Sequence, residues 1–219
     1  MAFDPLSGNL WWSDNGEDAF DELNRAEPGQ NAGWIQIMGP ASRIADYKAI
    51  ETTSLHHEPF PNLQQFRWGP TNIANTTSEA LNRLFLLPGA HYSDPEFSWK
   101  HVIAPAAIGF VNSRAVGPQF FGDLLVGLSV DEPDGGVLLH FQITGNRRNI
   151  GVDHSGLRDR VDDNTDAHTL TESADSVIGR DFGVVKDIQT GPNGNVFVVS
   201  LSKGTIYEIH RRPRGRASD

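Results

Sequence analysis

The sequence predicts an all-β chain organised as part of a β-propeller, and three observations carry that prediction. Its 22 glycines and 13 prolines cut the 219 residues into short pieces. Most apolar pieces run about four to eight residues and are rich in Val, Ile, Leu, Phe and Trp, which is the punctuation of strands. Three segments then repeat one plan: an apolar strand, a turn with Gly or Asp, a second strand ending in a small polar residue, another turn, and a third strand. They are AFDPLSGNLWWSDNG…DELNRAEPG, IGFVNSRAVGPQFFGDLLVGLS…GGVLLHFQI and VVKDIQTGPNGNVFVVSLSKGTIYEIHR, with DPLSGN and GPNGN at the same turn. Such units bury one sheet against the next in a radial stack. An all-β sandwich is the competing architecture, and the repeated triplet favours the propeller.

Taken in order, the predicted strands of the first triplet are Leu10–Trp12 and Asp21–Asn24, followed by Trp34–Ile37. Val102–Ala104, Ile108–Val111, Leu124–Leu128 and Val137–Ile143 build the middle of the chain, each an apolar run bounded by turn residues. Val184–Gln189, Val196–Leu201 and Thr205–His210 form the last triplet. One helix is predicted from Thr77 to Leu86, with Thr77 or Ser78 as N-cap and Pro88 ending it. Residues 1–210 read as one partial propeller domain, with long polar insertions at about 38–100 and 144–182, and 211–219 as a basic tail.

Composition excludes several function classes. A net charge of −10 argues against a nucleic-acid partner, because phosphate binding needs clustered Lys and Arg. The one basic cluster, His210-Arg-Arg-Pro-Arg-Gly-Arg216, closes the chain and reads as a solvated tail. With no cysteine, disulfides, thiolate zinc sites and iron-sulfur clusters are out. No run approaches the roughly 18 apolar residues of a membrane span, and Met1-Ala-Phe-Asp-Pro lacks the regions of a signal peptide, so neither a membrane nor an address is expected.

The most unusual stretch is SDNGEDAFDELNRAEPGQNAGW, residues 13–34. It carries six carboxylates (Asp14, Glu17, Asp18, Asp21, Glu22, Glu27) against Arg25 alone, with Trp11, Trp12 and Trp34 on its flanks. The aromatics anchor it, so it is not a floppy acidic tail, and its charge asks for neutralisation. Calcium takes six to eight oxygen ligands and mixes carboxylates with carbonyls from Gly-containing turns, both of which this stretch supplies. An acidic surface hairpin with Arg25 as partial counter-charge is the alternative.

At this point AFDPLSGNLWWSDNG, DELNRAEPGQNAGW, APAAIGF, FFGDLLVGLS and KDIQTGPNGNVFVVS resemble, in the same order, the motifs of the soluble quinoprotein glucose/sorbosone dehydrogenase family, as a divergent branch. The resemblance implies a six-bladed propeller that binds pyrroloquinoline quinone (PQQ) and calcium and oxidises sugars. It implies one calcium site from the Glu22 carboxylate, beside Asp21, and the carbonyl of Ala32, and a second from carbonyls at Gly16 and Glu17. Ala32 replaces the usual tyrosine and Glu17 the usual proline. The family's Arg-Asn pair and histidine base would lie before Met1, so the chain reads as the C-terminal half only, about three blades of four-stranded antiparallel sheets.

Unpaired sheet faces then call for the missing N-terminal half or a homo-oligomer partner. The full-length protein is expected to be periplasmic or secreted. The quinone's three carboxylates need fixed cations. The family lysine falls near Val130 and one arginine at Val184; the other falls at Lys186, the one cofactor-binding residue nominated, which also reads as a strand-end lysine beside Asp187.

Other candidates read as structure. His56-His57, His91, His101 and His140 lack chelating spacing, since neighbours on a strand point to opposite faces. Asp162-Asp-Asn-Thr-Asp166 starts like a calcium loop, but Ala167 and Ser173 occupy the positions that need glycine and glutamate, leaving a solvated loop. The five tryptophans are expected to pack blades together. No nucleophile elbow is present, and no catalytic residue is nominated. Two functions stay open: a PQQ- and calcium-dependent sugar dehydrogenase fragment, inactive alone, and a non-catalytic calcium-stabilised propeller used for binding or as a scaffold.

Overall fold

The computed structural model describes residues 1–53, 68–129 and 135–212. The protein is built mainly of β-sheets and has a partial β-propeller-like, all-β fold. Strands β1 (Ala2–Phe3), β2 (Leu10–Asp14) and β3 (Ala19–Arg25) form an antiparallel meander. Asp4 closes the first turn: its oxygens accept from the Leu6 N–H and the Ser7 hydroxyl, and Arg147 clamps them bidentately at 2.7 and 2.8 Å.

The chain then leaves the sheet. β4 (Gln30–Asn31) pairs in parallel with β5 (His91–Tyr92), and between them lie helices α1 (Ile44–Thr53) and α2 (Thr77–Arg83). α2 starts where predicted, but its cap is Thr76, whose hydroxyl accepts from the Glu79 N–H, and it ends at Arg83. α1 is an addition to the single helix expected.

β6 (Phe97–His101) returns to the first sheet beside β3. Next come β7 (Pro105–Phe110), β8 (Leu124–Leu128) and β9 (Leu138–Phe141), then the small hairpin β10 (Ile143–Thr144) and β11 (Asn149–Ile150). β12 (Val161–Asp162) adds to β6 in parallel, and β13 (Val177–Gly179) adds to β9. A third sheet is the meander β14 (Val185–Thr190), β15 (Val196–Ser200) and β16 (Thr205–Ile209).

The three main sheets therefore hold five, four and three strands, in the orders β1-β2-β3-β6-β12, β13-β9-β8-β7 and β14-β15-β16. The middle sheet has the four antiparallel strands expected of a blade; residues of the two insertions give the first sheet a fifth strand, parallel to its neighbour, and the last sheet has three. β7 packs against β1 and β2 on one side and β14 on the other, so the first strands of successive sheets neighbour one another.

Period-two alternation on the middle sheet makes this stacking work. Ile108, Leu124, Val126 and Leu128 face Trp11, Leu23, Phe97 and Trp99 of the first sheet. Ala107 and Leu125 face Val185, Ile188, Val196 and Val198 of the third. Each buried Leu, Ile, Val or Phe among these contributes about 1.5–3 kcal/mol. A separate core lies on the other side of the first sheet, where Phe20, Ile37, Met38, Ile44, Tyr47, Ile73 and Val161 pack the helical insertion against it.

Three readings are corrected here. Trp34–Ile37 is a turn: Gly33 has φ +96° and its carbonyl accepts from Gln36 and Ile37, while Trp34 is 51% exposed and packs no blades. Val102–Ala104 is the connection between β6 and β7, and Ala104 has φ +54°, outside extended backbone. Finally, Asp162 is fully buried: its carboxylate accepts the N–H groups of Thr171, Glu172 and Ser173, so this loop is pinned rather than solvated.

Candidate metal site

The acidic hairpin is built from β2 and β3, and alternation divides its carboxylates between two environments. Asp21 is fully buried and its oxygens accept backbone N–H groups from Gly16 at 2.9 Å, Ile103 at 2.6 Å and Ala104 at 2.7 Å. It thus staples the β2–β3 turn to the connection leading into the middle sheet. Burial pushes its carboxyl up to about 6, against the lowering effect of those three bonds.

Glu22 points to the opposite face, toward the insertion. Its Oε1 accepts the Gly39 N–H at 2.6 Å and its Oε2 the Asn24 amide at 2.9 Å. Asp14 lies directly across on β2, and Ser98 directly across on β6. Directly opposed residues share a face, as do residues two apart, so Asp14, Glu22, Asn24 and Ser98 form one polar row. Burial lifts Glu22 to about 8, and the Asp14 and Asp21 charges push the same way. Asp14 is raised too, by burial, with bonds from Asn15 and Trp12 partly opposing.

Two oxygens in this row have no hydrogen-bond partner although their residues are fully buried: Asn24 Oδ1 and Ser98 Oγ. Buried polar atoms are almost always satisfied, and an orphan points to a bound ion or water. Next to two acids that resist ionisation, unsatisfied oxygens fit a hard cation of the calcium type. No group of three or more His, Asp or Glu side chains among the described residues is placed to hold a metal ion. A site here would therefore rely on amide, hydroxyl and carbonyl oxygens as well as carboxylates.

Asn24 and Ser98 were not nominated from the sequence. Asn24 was legible, two residues beyond Glu22 on the same strand; Ser98 required knowing that β6 returns to this sheet. Among the nominated residues, Gly16 and Asp21 are brought together by their hydrogen bond. Glu17 acts on the neighbouring Glu51, raising it by like charge; burial is the larger cause and takes Glu51 to about 7. Ala32 follows β4 directly, half-buried, just before the Gly33 turn, and Glu22 reaches the segment beyond that turn through Gly39.

Lys186 is exposed on β14 of the third sheet, with Asp187 beside it at an irregularity in the strand register. Val184 is half-buried and donates its N–H to Ser202. Val130, His56 and His57 lie outside the described residues, as do residues 213–219 of the basic tail. His91, His101 and His140 stand on three different strands, β5, β6 and β9. No helix among the described residues is long and apolar enough to cross a membrane.

No protein-family model matches the chain, and no curated protein matches it. Solved structures do. A glucose dehydrogenase structure is 16% identical with a TM-score of 0.47, covering 95% of this chain and 40% of its own. The PQQ-bound aldose sugar dehydrogenase of Streptomyces coelicolor is 15% identical with a TM-score of 0.43, covering 98% of this chain and 39% of its own. A calcium structure of the Trichoderma reesei carbohydrate-active enzyme family AA12 is 15% identical with a TM-score of 0.49, covering 96% of this chain and 51% of its own. The chain thus spans about two-fifths of the glucose dehydrogenase it matches.

Proposed function

We propose that this chain is a calcium-binding section of a sugar dehydrogenase-like β-propeller, and that oxidation of an aldose belongs to the longer protein of which such a section is part. The observation that carries the reading is the row of Asp14, Glu22, Asn24 and Ser98, in which two buried oxygens have no partner beside two acids disfavoured as anions. Glu22, Asn24 Oδ1 and Ser98 Oγ would hold the ion, with Asp14 supplying charge and the Ala32 carbonyl completing the set that the motif resemblance implies. Bound there, calcium supplies the positive charge that lets both acids ionise and ties the helical insertion to the first sheet. The Gly16–Glu17 turn would offer carbonyls for a second ion.

The described residues do not fit the quinone. Its three carboxylates ask for fixed cations; Lys186 is exposed and Val184 offers none. No step is therefore derived through it. In the full-length protein, this reading assigns the proton of the sugar hydroxyl to a histidine base from outside the chain. Val184, at a position where the resemblance expects a cation, favours the second reading: a calcium-stabilised propeller without catalysis.

The test is a melting curve of the purified chain with calcium and with EDTA. A ligand that binds only the folded state raises its stability as free ligand exceeds the dissociation constant. An unchanged melting temperature counts against the site. Quinone-dependent dye reduction by the chain alone would overturn the assignment of catalysis to the longer protein.

A further inference from the structure

The middle and last sheets start level, because β7 and β14 lie against each other, but they end at different distances. The middle sheet runs four strands outward to β13, and the last sheet three, to β16. Among the described residues, β13 therefore reaches one strand further out than anything opposite it.

A hollow of about 160 Å³ opens at this step. Leu125, Leu138 and Ile178 line it from the middle sheet, Val196 and Ile209 from the last, and Phe182 from the connection between the two; every described residue that lines it is apolar. Val177 packs against the first core, so alternation turns its neighbour Ile178 toward the last sheet, where it is left 45% exposed. The backbone of β16 shows the matching lack. It pairs with β15 from Thr205 to Ile209, and no described strand pairs with its other side.

An open row of backbone N–H and C=O groups beside an apolar hollow is what an added strand completes: its backbone continues the ladder, and its alternate side chains enter the pocket. The place opposite β13 takes one strand. A second copy of the chain, joined β16 to β16, would carry its own middle sheet into the space that β13 holds. The tail brings nothing to fill the hollow either, since residues 210–219, HRRPRGRASD, contain no Val, Ile, Leu, Met, Phe, Tyr or Trp.

We propose that β16 accepts a single extended strand, antiparallel as β13 is to β9, that an inward apolar side chain of that strand fills the hollow against Ile178, and that the longer protein supplies it. Only the source of the strand rests on the reading of the chain as a section of a longer propeller. The test titrates the whole chain, in EDTA, with a labelled hexapeptide of alternating threonine and leucine. Saturable binding is expected, with slower hydrogen exchange at residues 205–209. A threonine–serine hexapeptide, and the leucine peptide with a central proline, should each bind roughly tenfold more weakly or worse. Ile178→Asp should keep the melting temperature and weaken the leucine peptide by roughly tenfold or more, while Leu201→Asp, at an exposed residue outside the hollow, should leave binding unchanged. No binding, equal binding of the proline peptide, or unaltered binding by Ile178→Asp each overturns the proposal. So does protection of residues 205–209 that grows with concentration of the chain alone, which would give the edge to a second copy. None of these outcomes moves the melting curve with calcium, so this proposal and the calcium reading fail separately.

Discussion

Asp14 and Glu22 are paired directly across the β2–β3 ladder, two acids on one buried face with Asn24 hydrogen-bonded to the second. Like charges opposed in a sheet are destabilising, so without an ion this pair persists by keeping a proton. Glu22→Gln should therefore separate two roles. Its amide oxygen can still accept from Gly39, and Asn24 can turn its own oxygen toward the new amide. The variant is expected to melt no lower than wild type in EDTA near pH 8, while losing the rise that calcium gives. A large drop in EDTA would make Glu22 a purely structural acid.

Stability should also fall as pH rises when divalent ions are absent. Folded Glu22 keeps its proton to about 8 against an ordinary value of 4.5, Glu51 to about 7 against 4.5, and Asp21 to about 6 against 3.8. Between the ordinary and folded values the native state binds more protons than the unfolded state. The stability these groups contribute is complete below their ordinary values and is lost as pH climbs through the folded ones. Urea midpoints in EDTA should decline from about pH 5 to about pH 8. Calcium, by favouring the ionised carboxylates, should flatten that decline. A midpoint that rises over the same range contradicts the assignment.

Asp21 is expected to matter whether or not calcium is present. Asp21→Ala leaves the N–H groups of Gly16, Ile103 and Ala104 without their acceptor in a buried place, at about 3 kcal/mol or more. Denaturant unfolding would show the same loss in calcium and in EDTA. A loss confined to calcium would instead identify Asp21 as a ligand.

Glycine sets the spacing of the middle and last sheets. A Cβ on Gly127 would come within 2.6 Å of Val185 Cβ, and one on Gly109 within 2.8 Å of Ile188 Cβ. Gly127→Ala and Gly109→Ala should each cost about 1–3 kcal/mol by overpacking. Because the two sites lie on neighbouring strands of one interface, a double-mutant cycle should show them coupled.

Much of this architecture was legible because its strands are bounded runs with one use for every side chain. Leu124–Leu128 was located residue for residue, since all its positions are buried between a turn and a loop. β6 was missed because Phe97–His101 emerges from a polar stretch and two-residue β12, its parallel neighbour, carries no periodic signal. Trp34–Ile37 was misread because aromatic and β-branched residues resemble a strand, whereas the Gly33 backbone and its two hydrogen bonds make a turn. The acidic hairpin was visible from charge density. Its division into a stapling Asp21 and a row led by Glu22 depends on which face of β3 meets which neighbour, a tertiary fact.

The order of strands in the first sheet also fixes a timetable for assembly. β14, β15 and β16 form from the uninterrupted stretch 185–209, while β6 must wait beside β3 until residues 161–162 arrive to complete its far edge. Pairings between distant parts of a chain form slowly, because loop closure comes before the contacts that offset it. Pulse-labelled hydrogen exchange during refolding should see the last meander protected early and Val161 late, so the far edge of β6 stays bare until that segment docks.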